Sequence, residues 1–224
     1  MDLSKQYNEF ANKFSDVHDK GENSNRDNRE IFYKHIDFLV PGMKLLDLAC
    51  GDGLDLVYYK TLGANIFGLD ASEELVKIAR NKNLDADIRV GFFEKIPFDN
   101  EQFDIVLSKY AIQTSKDMNP VFSEIHRVLK PGGVMMYLVT HPFRQYFEKK
   151  EEKADYFEQK IVDAHILNNS IIVKEPSHTF NEYLNEFLFK NFDVKLFAEY
   201  WDASAEQIDD MKYPGYFILK AIKR

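Results

Sequence analysis

The segment Asp47-Leu48-Ala49-Cys50-Gly51-Asp52-Gly53 holds the residues whose types and spacing most directly imply chemistry. Two glycines flanking one residue let a backbone turn approach a ligand closely, and the apolar run before them with the helical pattern after them sets that turn between a strand and a helix. Asp70 ends the next apolar run, 17 residues beyond Gly53. A carboxylate there accepts hydrogen bonds from both hydroxyls of a ribose. Turn, helix and acid together point to an adenosine-containing cofactor. A nicotinamide dinucleotide needs three glycines spaced to seat its pyrophosphate on the helix N-terminus. Here the place of a third glycine is not filled, and Asp47 and Asp52 crowd the turn. These charges repel a pyrophosphate and suit a cation. S-adenosylmethionine carries a sulfonium and an ammonium and no phosphate, so it is the expected cofactor and S-adenosylhomocysteine the expected product.

Methyl transfer from a sulfonium asks mainly for alignment and exclusion of water, with a base required where the acceptor must lose a proton. No nucleophile–base–orienter set is apparent, and no metal-binding spacing either. His141, in Thr140-His141-Pro142-Phe143, ends a strand at the edge where ligands bind. It has two readings, a base or acceptor contact, or a ring that hydrogen-bonds the following loop. His178 precedes a late helix and carries the same two roles, against helix capping by Ser177 or Thr179. Tyr110, Gln113, Arg144, Tyr146 and Tyr200 are pocket candidates by position. Cys50 reads as a small buried filler rather than a nucleophile, and His126 and Arg127 as surface or packing residues.

The elements that must position these groups alternate regularly. Residues 44–49 read as a buried strand and 54–62 as a helix closed by Gly63. Residues 65–69 form a second strand, and Ser72 caps a helix to about residue 81 with Glu73 and Glu74 in its first turn. Strands over 88–91, 103–108 and 134–140 follow, with a helix over 119–129 stopped by Pro131-Gly132-Gly133. Such βαβ repetition predicts an α/β, Rossmann-like, doubly wound sheet. Residues 192–200 and 213–222 complete seven strands, six parallel and one antiparallel, because their connection is too short for a crossover. Tyr7, Phe10 and Phe14 lie at helical spacing, and a second helix is expected over 28–39. Residues 143–174 read as an irregular insertion over one sheet edge, with 148–160 as a solvated helix of alternating charges that also has a reading as a mobile cover. Helical spacing returns over 177–189.

The chain resembles the class I S-adenosylmethionine-dependent methyltransferases, and within them the small-molecule branch that includes the ubiquinone/menaquinone-type enzymes. The resemblance runs from about residue 43 to 141. It rests on the glycine turn, on Gly68-Leu69-Asp70-Ala71-Ser72, on Ile96-Pro97-Phe98, on Phe103-Asp104-Ile105-Val106, and on the run from Glu124 through Gly133. It implies that Asp47, Gly51 and Gly53 cradle the methionine part of the cofactor, with Ala49 in place of the usual first glycine. It implies that Asp70 holds the ribose, that Ala71 lies beside the adenine, and that Ser108 lies under the transferred methyl. Phe92 replaces the usual adenine-binding acid, so adenine contact falls to backbone groups and to aromatic packing by Phe92 and Phe93. Residues 1–40 become an N-terminal helical lid carrying Tyr7 and Phe14 over the cofactor. Residues 43–141 form the cofactor-binding core, 143–176 an insertion or cover, and 177–224 a C-terminal helix with the antiparallel strand pair, all in a single domain.

Of 224 residues 45% are hydrophobic, and 29 Lys+Arg against 37 Asp+Glu leave a formal net charge of -8. A chain of this length buries a sufficient core without staples, and one cysteine excludes an intramolecular disulfide. No basic run appears, which disfavours nucleic-acid partners. The apolar runs are too short to span a membrane and the N-terminus has no signal-peptide pattern. The expectation is a cytoplasmic monomer or homodimer that transfers a methyl group to a nitrogen or oxygen of a small molecule. The rivals are a protein methyltransferase, a cofactor-binding homologue without chemistry, and a nicotinamide-dependent oxidoreductase. The 19 Phe and 12 Tyr are an aromatic surplus, part of which is expected to line an apolar acceptor pocket and shield a sulfonium through the N-terminal lid and the late insertion.

Overall fold

A computed structural model describes residues 3–20, 26–83, 85–149, 155–167, 170–202 and 212–224. Seven strands form one sheet: β1 (Lys44–Leu48), β2 (Asn65–Asp70), β3 (Asp87–Val90), β4 (Phe103–Lys109), β5 (Leu129–Thr140), β8 (Phe192–Tyr200) and β9 (Tyr216–Lys223). Their spatial order is β3-β2-β1-β4-β5-β9-β8. Neighbours pair in parallel from β3 to β5, while β9 runs antiparallel to both β5 and β8. Six strands are therefore parallel and one antiparallel, as the short last connection requires. The chain reverses its winding direction at β1, and the C-terminal ends of β1, β2 and β4 surround the crevice where such sheets bind ligands.

Both faces of the sheet are covered, which is why its strands are nearly continuous apolar runs. On one face α5 (Met118–Val128) and the late helices bury Phe122, Ile125, Tyr137 and Phe217. On the other, α2 (Arg26–Lys34), α3 (Leu54–Thr61) and α4 (Glu73–Lys82) pack with Phe32, Leu45, Leu56, Tyr59 and Val76. Ser72 caps α4 by accepting from the Leu75 amide at 3.2 Å. Part of the aromatic surplus is core, since Tyr59, Tyr137, Tyr183 and Tyr216 are fully buried.

Four expectations change. Residues 143–174 are not irregular: α6 (Pro142–Lys149) is followed by an antiparallel hairpin, β6 (Ile161–Ile166) and β7 (Ile171–Pro176). The expected helix over 148–160 ends with α6 at Lys149; residues 155–160 are non-helical, and 150–154 lie outside the described residues. The span 177–189 divides into α7 (Phe180–Tyr183) and α8 (Glu186–Asn191), because Asn185 starts a new helix by accepting from the Leu188 amide at 2.9 Å. The second N-terminal helix stops at Lys34, short of residue 39, where the chain tightens through 3₁₀-type bonds from His35 and Ile36 to the carbonyls of Phe32 and Tyr33.

The hairpin lies against α1 (Leu3–Asp19). Ala164, Leu167, Ile171 and Val173 pack with Tyr7, Phe10, Phe14 and Val17. The Gln6 side-chain amide bonds Lys174 in both directions, donating to its carbonyl at 3.1 Å and accepting from its amide at 2.9 Å. Helix and hairpin thus form a second small apolar cluster outside the two faces of the sheet.

Candidate functional site

The turn after β1 is built from left-handed backbone: φ is 65° at Ala49, 56° at Gly51 and 79° at Gly53. Gly53 is the position most constrained by its surroundings. A Cβ there would lie 2.6 Å from Asn83 Nδ2 and 2.9 Å from the Ala79 Cβ. Its carbonyl accepts from that same Asn83 Nδ2 at 3.0 Å, so the end of α4 is fastened to the turn. Gly68 on β2 leaves room for Cys50, whose Sγ would be 2.8 Å from a Cβ placed there. Cys50 is buried and its thiol is pushed up by burial and by the nearby Asp70, which suits a filler rather than a nucleophile.

Asp70, at the end of β2, accepts from the Gly51 amide at 2.8 Å with one oxygen and from the Ser72 amide at 2.9 Å with the other. Burial raises its carboxyl against the opposing pull of these amides. Two of its roughly four lone-pair positions are taken, and the residue lines a cavity of about 580 Å³.

That cavity sits at the C-terminal ends of β1, β2 and β4. Ala49, Gly51, Asp70, Ala71, Phe92 and Phe93 form its floor and one wall; Tyr7 and Phe14 of α1 lie over it, with Ile166 and Leu167 of the hairpin beside them. Tyr110, after β4, completes the opposite side. Ala49, Tyr110 and Leu167 (φ 65°, 53° and 52°) are non-glycine residues in left-handed backbone, a conformation that costs energy and collects at ligand sites.

Other sequence candidates fall outside the cavity lining. Asp47 is buried beneath the turn, its Oδ2 without a hydrogen-bond partner and its carboxyl pushed well up by burial and by nearby Asp55. Gly53 lies behind the wall, and Ser108 donates to the Leu48 carbonyl at 2.9 Å between β4 and β1. His141 is fully buried: Nδ1 accepts from the Phe143 amide at 3.1 Å and Nε2 donates to Glu199 at 2.8 Å. Burial lowers its pKa. His178 Nε2 donates to the Gln113 carbonyl at 2.9 Å and Nδ1 lies 3.1 Å from Glu182. The cap of α7 is Thr179, in a reciprocal box with Glu182. Arg144 pairs with Glu148 at 2.8 Å and Asp202 at 2.6 Å. Tyr146 packs among Phe147 and Tyr156, and Tyr200 stacks on Tyr216 and bonds His35 at 2.7 Å.

The structure adds residues that spacing did not single out. His18, Arg29, Asp55, Glu94, Lys109 and Ser115 all line the cavity, beside the Asp52 of the turn. Ser115 donates to Glu94 at 2.6 Å. Arg127 is more than packing: it donates to the Ile96 and Phe98 carbonyls at 2.7 and 2.9 Å, while Glu124 accepts from the Ile96 amide at 2.7 Å. Two motifs far apart in sequence therefore hold the loop that follows the Phe92–Glu94 wall. Asp52 binds α1 to the turn through His18 at 3.0 Å, and through Lys82 at 2.7 Å, which also reaches Ser15 and Asp19.

A sheet of this order, with a glycine turn after β1 and an acid ending β2, has the fold of solved S-adenosylmethionine-dependent methyltransferases. Residues 46–137 match the family described as a methyltransferase domain. An uncharacterized methyltransferase of Synechocystis is 38% identical over 103 residues, 45% of this chain and 49% of that protein. A demethylmenaquinone methyltransferase of Chlorobaculum tepidum is 41% identical over 91 residues, 40% and 38% of the two chains. This chain thus spans about half or less of the length of these relatives. The crystal structure of an S-adenosylmethionine-dependent methyltransferase from Mesorhizobium loti superposes with a TM-score of 0.69 at 18% identity, covering 89% of this chain and 98% of that one, a likeness of fold. Among the described residues no helix is long and apolar enough to cross a membrane, and no group of three metal-ligating side chains occurs.

Proposed function

We propose that this protein transfers a methyl group from S-adenosylmethionine to a nitrogen or oxygen of a small-molecule acceptor. The observation that carries the reading is the cavity of about 580 Å³ at the strand ends, covered by α1 and the hairpin. Its size is that of a small-ligand site, and its cover leaves a polymer little access. The residues fit the cofactor: Asp70 keeps acceptor capacity for ribose hydroxyls, the Ala49–Gly51 turn permits close backbone approach, and Phe92 and Phe93 offer apolar surface to a base.

When bound, S-adenosylmethionine supplies an electrophilic methyl with its leaving group built in. The chain's own part is alignment and exclusion of water. Asp70 fixes one end, and Tyr7 and Phe14 cover the other contents of the cavity with aromatic faces that favour a sulfonium by about 0.5–2 kcal/mol. Burial pushes the Tyr7 phenol well above its ordinary value, so it acts as a hydrogen-bond donor rather than a base. His141 and His178, with both ring nitrogens engaged and neither on the cavity wall, are given no catalytic part in this reading.

The test is to incubate the protein with S-adenosylmethionine labelled on its methyl group and a cell extract divided into small-molecule, protein and RNA fractions. Label is expected in the small-molecule fraction. Label confined to protein or RNA would overturn the acceptor class, and none in any fraction would favour a cofactor-binding homologue without chemistry.

A further inference from the structure

Next to the part of the cavity wall made by Tyr7 and Thr114 lies a buried polar cluster that the cofactor does not use. Glu175, near the end of β7, is 3% exposed and accepts from Gln145 Nε2 at 3.0 Å. Gln145 Oε1 accepts from the His178 amide at 3.0 Å, and His178 Nε2 donates to the Gln113 carbonyl at 2.9 Å. The His178 ring lies 5.2 Å from that of Tyr183, which lies 6.5 Å from that of Tyr137. Three polar atoms along this chain of contacts are buried with no hydrogen-bond partner among the described residues: Gln113 Oε1 and the hydroxyls of Tyr137 and Tyr183. Each such group costs free energy, so three in one neighbourhood point to a ligand that they serve. The neighbourhood adjoins the cavity, because Thr114 follows Gln113 in one 3₁₀ turn and lines it together with Tyr7. Burial, and next the charge of Glu175, raise the phenols of both Tyr7 and Tyr183, which sets that carboxylate close to both rings.

The polar atoms on offer decide the class of ligand. Glu175 and Gln113 Oε1 only accept hydrogen bonds, while the two phenols, raised by burial, keep their protons and do either. A carboxylate or phosphate would meet like charge at Glu175, and a hydroxyl brings a single proton. A protonated primary or secondary amine brings two or three N–H donors and the charge opposite to that of Glu175. The net charge of -8 also favours the approach of a cation. We propose that Glu175, Gln113 and Tyr183 bind the methyl acceptor, and that this acceptor is a primary or secondary amine methylated on nitrogen. The ammonium yields one proton to the Glu175 carboxylate, the freed nitrogen pair bonds the methyl carbon, and the carbon–sulfur bond pair stays with the sulfur. The inference rests on the transfer reading above and narrows its acceptor atom to nitrogen.

Selective acetylation of amines tests the acceptor class. The small-molecule fraction of the cell extract is split, and one half is treated with N-hydroxysuccinimidyl acetate. Both halves are then offered to the full chain with methyl-labelled S-adenosylmethionine. The untreated half is expected to take up label, and the acetylated half at least about tenfold less, because an amide lacks the charge and the basic nitrogen pair. Equal label in the two halves would overturn the inference and leave the transfer reading standing. Label absent from the untreated half and present in protein or RNA would overturn both. Two variants assign the residues. Glu175→Gln keeps the size of the side chain and is expected to lower uptake by about 10- to 100-fold, with affinity for S-adenosylhomocysteine within about twofold of wild type by calorimetry. Tyr183→Phe removes an unpaired hydroxyl, so a purely structural role predicts unchanged uptake and an equal or higher urea midpoint. The expected result is reduced uptake at that midpoint, and this variant carries the test if the glutamine variant does not fold. Unchanged uptake by both variants would overturn the proposal.

Discussion

At Gly53 one added methyl group is enough to disturb the site, because the strain of φ 79° is joined by a Cβ contact of 2.6 Å with Asn83 Nδ2. Gly132 has nearly the same backbone, φ 76°, but nothing within 4 Å of its Cβ position. Gly132→Ala is expected to cost about 1–2 kcal/mol, the strain alone, and Gly53→Ala about 1–3 kcal/mol more from overpacking. Equal urea midpoints for the two variants would contradict this. At this scale the turn and Asp70 were legible because their meaning is local: glycine pair, strand end and acid stand within one βαβ unit. Arg29, Asp55 and Lys109 were not. A charged residue on a helix or at a strand end reads as solvent-facing, and only the tertiary fold brings these three, from α2, α3 and β4, to one cavity wall.

The α1 helix is fastened at two ends, to the hairpin through an apolar cluster and Gln6, and to the turn through Asp52. Burial would raise the Asp52 carboxyl, but His18 and Lys82 outweigh it and hold it below its ordinary 3.8. A depressed acid contributes stability that is present above the ordinary value and lost as pH falls through the folded one. Hydrogen exchange in α1 should therefore quicken as pH drops below about 4, after correction for intrinsic rates. Asp52→Asn should show faster α1 exchange at neutral pH and a flatter acid dependence. Identical corrected profiles for the two proteins would contradict the clamp. The parallel core was legible from its apolar strands, buried on both faces. The hairpin was missed because its strands mix charge with apolar residues, Ile-Val-Asp-Ala-His-Ile and Ile-Ile-Val-Lys-Glu-Pro. Their alternating burial depends on α1 as a partner, which period alone does not name.

Over the whole molecule, the β3-β2-β1-β4-β5-β9-β8 order gathers three strand ends and the left-handed turn at one crevice, and α1 with the hairpin covers it. The aromatic surplus divides between the two faces of the sheet and that cover. The net charge of -8 carries over to the cavity lining, where Asp52, Asp55, Asp70, Glu94 and Asp117 outnumber Arg29, Lys109 and Lys116. The central claim is that this cavity holds S-adenosylmethionine with Asp70 on its ribose. Titration calorimetry of S-adenosylhomocysteine into wild-type protein and Asp70→Asn tests it most directly. The expected result is binding by the wild type, a loss of about 1–3 kcal/mol in the variant, and no heat from NADH with either. Equal affinity of the two proteins, or binding of NADH in place of S-adenosylhomocysteine, would contradict it.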